Sequence, residues 1–526
     1  MMVRKGLLAL FLGLLVFLGQ PAWFAAGGVM VAPRTVRVGL LQQAGRVGFT
    51  VDGNYQLIDR YSNQPLAEIK PGQRWEVHTD PYGMKLYRDG ISAGSFAGPL
   101  LVRPQESPLT IISGKEKLSR RSSGLTVQGA GNKKVQLNSP GGVSVLGASG
   151  QKKFTSPDGL HLITLEGPDL SRRYRGEMEF RAGERGLTVI NQLPIEEYLY
   201  GVVPAEMPAS WPVEALKAQA VACRTYVLAS LGTYEKQGFD VLATQSSQVY
   251  RGYDGENPAT TRAVDETRGV VATYRGRPIS AVFHSSSGGY TENSEDVWTN
   301  PVDYLRTRPD PYDKNEQHYN WSVTYTAEQL RQQLAAAGYQ FSVINDLEII
   351  SRTASGARVK CLEVRGLDIS GRPLTVPIAN ADRVRMALGI DRVLKTNGSA
   401  LFTMEKVMSG GNGGEGGSNR AGAGGRDIPG GQGTGSAAQI VPGQTGAGQA
   451  AAGGGTGTSQ PAPVTGQPGN TGGSRLVSVT FRGSGWGHGL GMSQFGARGM
   501  AAQGYNYQEI LKYYYTGIAI DSDYGG

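Results

Sequence analysis

Tyr198-Leu-Tyr-Gly-Val-Val-Pro-Ala-Glu-Met-Pro208, followed after Ala-Ser-Trp-Pro212 by Val213-Glu-Ala-Leu-Lys-Ala-Gln-Ala-Val-Ala-Cys-Arg-Thr-Tyr226, decides how this chain folds at its centre. Glu196-Glu-Tyr-Leu-Tyr200 opens a short helix, and Pro204 to Pro208 reads as a stiff loop. A longer helix is predicted from Pro212 to about Tyr234. Ser210 is placed to cap it, and Pro212 falls in the first turn, where a missing N–H is harmless. Leu216, Ala220, Cys223, Val227 and Leu231 recur at helical spacing and give one apolar face. Lys217 and Arg224 lie two turns apart and project to a similar side.

Glu206 and these two cations form the first candidate site. An apolar setting beside Met207 and Trp211 raises a carboxyl pKa and keeps a proton available for general-acid chemistry. Lys217 and Arg224 suit a polymer bearing carboxylates, Arg through a bidentate contact. The same spacing describes equally well a solvated glutamate beside a basic helix face, and spacing alone does not choose.

Upstream, Leu187-Thr-Val-Ile190 is a strand, and the alternation of Val36, Val38 and Leu40 with polar partners starts a β-rich region. Val47-Gly-Phe-Thr-Val51 repeats the pattern before a turn at Asp52-Gly53, and Leu109-Thr-Ile-Ile112 and Leu125-Thr-Val127 add further short strands. His78 and His161 stand isolated there, so structure or substrate docking is expected rather than catalysis. At the N-terminus, Arg4 and Lys5 precede an apolar run from Gly6 to Gly19, the layout of an export signal. No charge follows until Arg34, so the segment is either cleaved or kept as a membrane anchor, and the body lies outside the cytoplasm.

Downstream, Gly269-Val-Val-Ala-Thr273 and Ile279-Ser-Ala-Val-Phe283 flank Tyr274-Arg-Gly-Arg-Pro278 as a hairpin that delivers His284-Ser-Ser-Ser-Gly-Gly289 into a loop. His284, Ser285 and Ser287 there either contact a sugar or metal or cap a turn. A Ser/His triad is weakly supported, because no Gly-x-Ser-x-Gly elbow precedes a helix. Thr324 to Phe402 reads as an α/β stretch, with a helix near Ala327 to Ala337 and strands about Leu347 and Val359. Ser409 to Ser474 is Gly, Ala, Ser, Gln and Thr with scattered prolines, too poor in large apolar residues to offset chain entropy. Leu476-Val-Ser-Val-Thr-Phe481 resumes as a strand and runs into Gly483-Ser-Gly-Trp-Gly-His-Gly-Leu-Gly-Met-Ser-Gln494. Glycines at that density let backbone approach a ligand. Trp486, His488 and Gln494 offer a stacking plane and hydrogen bonds, whereas no P-loop Lys-Ser/Thr follows.

The 526 residues include 77 glycines and carry a formal net charge of +8, which favours anionic surfaces. No Lys/Arg block or aromatic-studded basic stripe points to nucleic acid. Two cysteines, Cys223 and Cys361, exclude a disulfide scaffold and a cysteine-rich zinc module; one bridge between them stays open. The fold class expected is α+β. It comprises a signal or anchor at 1–32, a β-rich accessory region at 33–165 and a mixed α/β core at 166–408 and 475–526. A disordered Gly-rich insertion interrupts that core at 409–474.

Tyr198 to Pro208, Ala215 to Tyr226, Phe283 to Gly289, Gly485 to Gln494 and Ile510-Leu-Lys-Tyr-Tyr-Tyr-Thr-Gly517 together resemble, in order, the signature blocks of the SpoIID/LytB family. The resemblance is dense from Tyr174 to Tyr312 and from Phe481 to Gly517. It implies a lytic transglycosylase that cleaves peptidoglycan glycan strands between N-acetylmuramic acid and N-acetylglucosamine, preferring strands stripped of stem peptides. It places the family's catalytic acid at Glu206. Lys217 and Arg224 would hold the lactyl carboxylate, and His488 and Gln494 would line the cleft. It also implies sporulation, engulfment and membrane-anchored partner hydrolases. Family members that enhance amidases supply the alternative, a wall-binding activator without chemistry of its own. Some members hold zinc on the His of the His-Ser-x-x-Gly-Gly block with downstream cysteines. Ser285 to Trp298 has none, so no metal and no cofactor is expected.

Overall fold

The computed structural model describes residues 34–105, 161–167, 170–314, 319–390, 398–409, 475–522 and 524, and the backbone of short strands between 108 and 155. The signal or anchor at 1–32 and the low-complexity segment beyond Ser409 lie outside the described residues.

Period-two alternation builds the first half. Val36 and Val38, Val47, Phe49 and Val51, and Met178 and Phe180 point inward from three different strands and are buried. They belong to two sheets. The seven-stranded sheet runs in the order Val241–Leu242, Thr35–Ala44, Gly186–Pro194, Glu177–Gly183, Leu100–Pro104, Tyr55–Asp59, Pro65–Ile69. The six-stranded sheet runs Leu170–Tyr174, Leu162–Gly167, Arg46–Asp52, Trp75–Asp80, Gly83–Arg88, Ile91–Phe96. Phe49 of the second sheet lies 5.3 Å from Phe180 of the first and 6.4 Å from Trp75. Each such fully buried side chain contributes about 1.5–3 kcal/mol. Strands on both sides of residue 165 enter the same sheets, since Leu162–Gly167 pairs with Arg46–Asp52. Between 108 and 155 three two-stranded pairs follow one another.

The strand Gly186–Pro194 feeds directly into α1 (Ile195–Glu206), after which come α2 (Val213–Ala229) and α3 (Pro258–Glu266). Here the structure differs from the expected loop. Pro204 lies inside α1, and Glu206 is the last helical residue. Pro204 has no N–H to give the Tyr200 carbonyl four residues back, yet the helix continues past it through Glu206. Pro212 itself is the N-cap of α2 and no side chain caps it, so Ser210 does not serve as predicted. The apolar face of α2 is buried at Leu216, Ala220, Cys223 and Val227, but Leu231 falls beyond the helix end and is 40% exposed.

A second core gathers around residues 320–409 and 475–484. Its helix Ala327–Ala336 starts with a capping box between Thr326 and Gln329. Phe402–Ser409 and Arg475–Ser484 are antiparallel neighbours, with Ser409 opposite Arg475. The glycine-rich segment therefore leaves and re-enters at adjacent strand ends, and the C-terminal block returns to the same fold. Cys223 and Cys361 are both free thiols, which closes the question of a bridge between them. The class is α+β, as expected.

Candidate active site

Glu206 sits at the C-terminal end of α1 with 5% of its surface exposed. Its Oε1 accepts the Val249 N–H at 2.9 Å, and its Oε2 is buried without a hydrogen-bond partner among the described residues. Burial pushes its pKa up to about 7, outweighing the Val249 N–H and the Arg251 guanidinium, which both favour the anion. The negative end of the helix dipole acts in the same direction as burial. Val249 is held in place by its neighbour. Gln248 accepts from the buried Tyr198 hydroxyl at 3.2 Å and donates to the Cys223 carbonyl at 3.4 Å. A carboxyl that is proton-loaded near neutral pH, with one oxygen unengaged, is the arrangement general-acid chemistry requires.

The two helix cations do not join this site. Arg224 is buried and forms a bidentate pair with Glu196, at 2.8 Å from Nε and 2.7 Å from one terminal nitrogen. Its remaining donors reach the Val264 and Val270 carbonyls at 3.1 and 3.2 Å. Lys217 Nζ bridges Glu214 and Glu266 at 3.0 and 2.9 Å. Both project toward α3, as their spacing required. In this structure the two cations, expected to meet a substrate carboxylate, tie α2 to α1 and α3. Sequence spacing set their direction but could not show that acidic partners already occupy it.

The two loops come together as a pair. Phe283 and His284 lie parallel to Met492 and Ser493, and Ser286 and Trp486 exchange backbone hydrogen bonds at 2.8 and 3.1 Å. Gly487, at φ +96°, makes this approach possible, because a Cβ there would stand 3.0 Å from the His284 Cβ. His284 Nδ1 donates to the Leu490 carbonyl at 3.0 Å, and the Leu490 N–H donates to His488 Nδ1 at 3.0 Å. The two imidazoles, 5.5 Å apart, thus carry opposite tautomers. Burial holds both neutral, driving His284 well below its ordinary value and His488 down to about 3. Ser287 is buried, and its hydroxyl and N–H both donate to Asp313, at 3.1 and 2.8 Å. His284, Ser287 and His488 are thus each tied into the loop pair, with Nε2 of both histidines buried and without a hydrogen-bond partner among the described residues, while Ser285 and Trp486 keep partial exposure.

Gln494 is the member of these loops that meets Glu206. Its Nε2 donates to the Glu206 carbonyl at 3.0 Å. Phe495 adds a second link, with its N–H on the Ser285 carbonyl at 2.9 Å and its ring 4.9 Å from Trp211. Val249, Gln248 and Asp313 are the site-building residues that sequence reasoning missed. A backbone donor carries no sequence signal, and Asp313 lies 26 residues from Ser287, beyond what local spacing reads. Among the described residues no group of three or more His, Cys, Asp or Glu stands close enough to hold a metal ion.

Comparison with known proteins bears on the same stretch. A family model described as SpoIID, Stage II sporulation protein, matches residues 183–274, which contain Glu206 but end before His284. Stage II sporulation protein D of Bacillus subtilis is 29% identical over 346 residues, covering 63% of this chain and 75% of that protein. Amidase enhancer of the same organism is 31% identical over 338 residues, 62% of this chain and 40% of its own length. An uncharacterized protein of Brachyspira hyodysenteriae is 29% identical over 368 residues, 70% of this chain and 75% of that protein. Residues 183–274 of this chain thus match the SpoIID family model, and its similarity to stage II sporulation protein D and to amidase enhancer runs over 346 and 338 residues, beyond that stretch.

Proposed function

We propose that this protein is a lytic transglycosylase of peptidoglycan, exported to the wall face of the membrane and working in sporulation-linked remodelling, with Glu206 as general acid and then base. The observation that carries this reading is the buried Glu206 carboxyl, with a pKa raised to about 7 and one oxygen unengaged. In the first step Glu206 gives its proton to the oxygen bridging N-acetylmuramic acid to the next sugar, and that C–O bond breaks. In the second the muramic C6 hydroxyl attacks the anomeric carbon and its proton returns to Glu206. A 1,6-anhydro sugar forms, no water is consumed, and the carboxyl ends as it began. One carboxyl suffices because the substrate supplies its own nucleophile, unlike the paired carboxylates of ordinary glycosidases. Arg251, half-buried and close enough to act on Glu206, takes over the role first given to Lys217 and Arg224, that of receiving the lactyl carboxylate.

The test is mass spectrometry of stem-peptide-free strands incubated with the purified chain. Anhydro-ended fragments support the reading, and ordinary reducing ends would replace transglycosylation by hydrolysis. Similarity to an amidase enhancer favours a second reading, in which the protein binds the wall and activates a partner amidase or endopeptidase. Intact glycan together with a stimulated amidase would establish that reading instead.

A further inference from the structure

Away from Glu206, two adjoining clefts of about 590 and 380 Å³ open on the seven-stranded sheet and share Tyr61, Pro99 and Arg181. Met178 and Phe180 face the core between the sheets, so Glu179 and Arg181, alternating with them, face the clefts. Three guanidiniums surround the buried Glu179 carboxylate: Arg37 at 3.1 Å, Arg60 at 3.3 Å and Arg181 at 3.3 Å. Over the lining of both clefts the cations Arg37, Arg60, Arg181, Arg185 and Lys236 outnumber the carboxylates Glu179, Glu184, Glu235 and Asp240 by one. Arg37 spends its other donors on the Gly238 carbonyl and Gln192, at 2.7 and 2.9 Å. Arg60 and Arg181 engage Glu179 through Nε, and their terminal nitrogens have no hydrogen-bond partner among the described residues. Gly238 makes room for one of them. At φ +89°, a Cβ there would fall 1.6 Å from a terminal nitrogen of Arg181, so the guanidinium lies directly on the glycine.

Beside these donors stands Tyr61, 76% exposed. Its turn is fixed by the Asp59 carboxylate, which accepts the Tyr61 and Ser62 N–H groups at 3.0 and 2.8 Å. The ring lies against Gly98, where an added Cβ would meet it at 3.2 Å. A tethered aromatic plane next to oriented, unspent guanidiniums is suited to a sugar ring that carries a carboxylate.

We propose that this groove is a second glycan subsite, separate from the Glu206 site, that docks a carboxylate-bearing saccharide strand with the sugar on Tyr61 and its acid on Arg60 and Arg181. The wall polymer as ligand rests on the proposed function, whereas the chemistry of the subsite does not.

The test is the affinity of full-length Glu206→Gln chain, in which turnover is blocked, for labelled stem-peptide-free strands. Carboxyl-reduced strands and a glycerol-phosphate polymer form the control arms. Adding Tyr61→Ala, or Arg60→Gln with Arg181→Gln, weakens binding of the carboxylate-bearing strands about tenfold. Carboxyl-reduced strands bind the parent chain as weakly as native strands bind the arginine variant. Tyr61 is on the surface and Arg37 still pairs Glu179 in the arginine variant, so unchanged melting is expected and checks the fold. Unchanged affinity in both variants overturns the subsite. So does a Tyr61-dependent affinity confined to the phosphate polymer. Tyr61-dependent glycan binding by a chain that never cleaves glycan would uphold the subsite while removing the transglycosylase.

Discussion

Glu206 and Glu292 are both buried glutamates in the core of this protein, and each leaves one carboxyl oxygen without a described hydrogen-bond partner. They differ in their company. Glu292 Oε1 receives the Thr353 and Ser355 hydroxyls at 3.0 and 2.7 Å and a terminal nitrogen of Arg358 at 3.2 Å, with both members of that ion pair fully buried. Arg358 in turn reaches the Ser287 and Tyr290 carbonyls at 2.6 and 2.7 Å, clamping the His284 loop. Glu206 has one backbone N–H and, among the described residues, no ion pair. The first arrangement fixes a charge in place. The second makes charge expensive and favours a proton on the carboxyl, so the same residue type holds a charge in one place and, in the proposed function, a transferable proton in the other.

The largest expected effect lies on the structural side of this comparison. Arg358→Met strands Glu292 without its cation and should destabilise the fold by about 3–5 kcal/mol, read as a drop in Tm, and Arg358→Met with Glu292→Leu should recover most of it. A single variant that melts like the parent would erase the distinction.

Glu206 should behave in the opposite way. Its folded pKa of about 7 lies above the ordinary 4.5, so folding favours the neutral form. The stability it contributes is full below pH 4.5 and is lost as pH rises through 7. Glu206→Gln should remove that loss and, in urea unfolding, leave the variant about 3 kcal/mol more stable than the parent at pH 8 but not at pH 4. Equal stability at both pH values would show that the carboxyl is not desolvated.

Smaller still is the contribution of Gln494. Gln494→Ala removes a hydrogen bond worth about 1 kcal/mol from the end of α1 and should lower kcat several-fold with little change in KM. A change in KM alone would return Gln494 to a substrate contact. Chelation is the limiting case: EDTA should leave glycan cleavage unchanged, and inhibition reversed by zinc would mean that the donors near His284 have been misjudged.

Much of this was legible beforehand. Alternation exposed the strands at Val36 and Val47, helical spacing exposed the buried face of α2, and the order of the motif blocks singled out Glu206. What was hidden depends on contacts between distant segments. Lys217 and Arg224 looked available because Glu196 and Glu266 lie on other helices. Pro204 suggested a loop because a proline in a last turn looks, in sequence, like a proline that ends a helix. His284 and His488 looked like ligand groups because their shared partner is a backbone, Leu490. The Val249 N–H has no side chain to announce it.

The most direct measurement is difference infrared spectroscopy of the carboxyl stretch, parent minus Glu206→Gln, titrated from pH 4 to pH 9. The structure predicts a protonated carboxyl band at pH 5 that disappears with a midpoint near 7. A band already lost by pH 5, with a midpoint near the ordinary 4.5, would contradict the account and leave Glu206 without a proton to give.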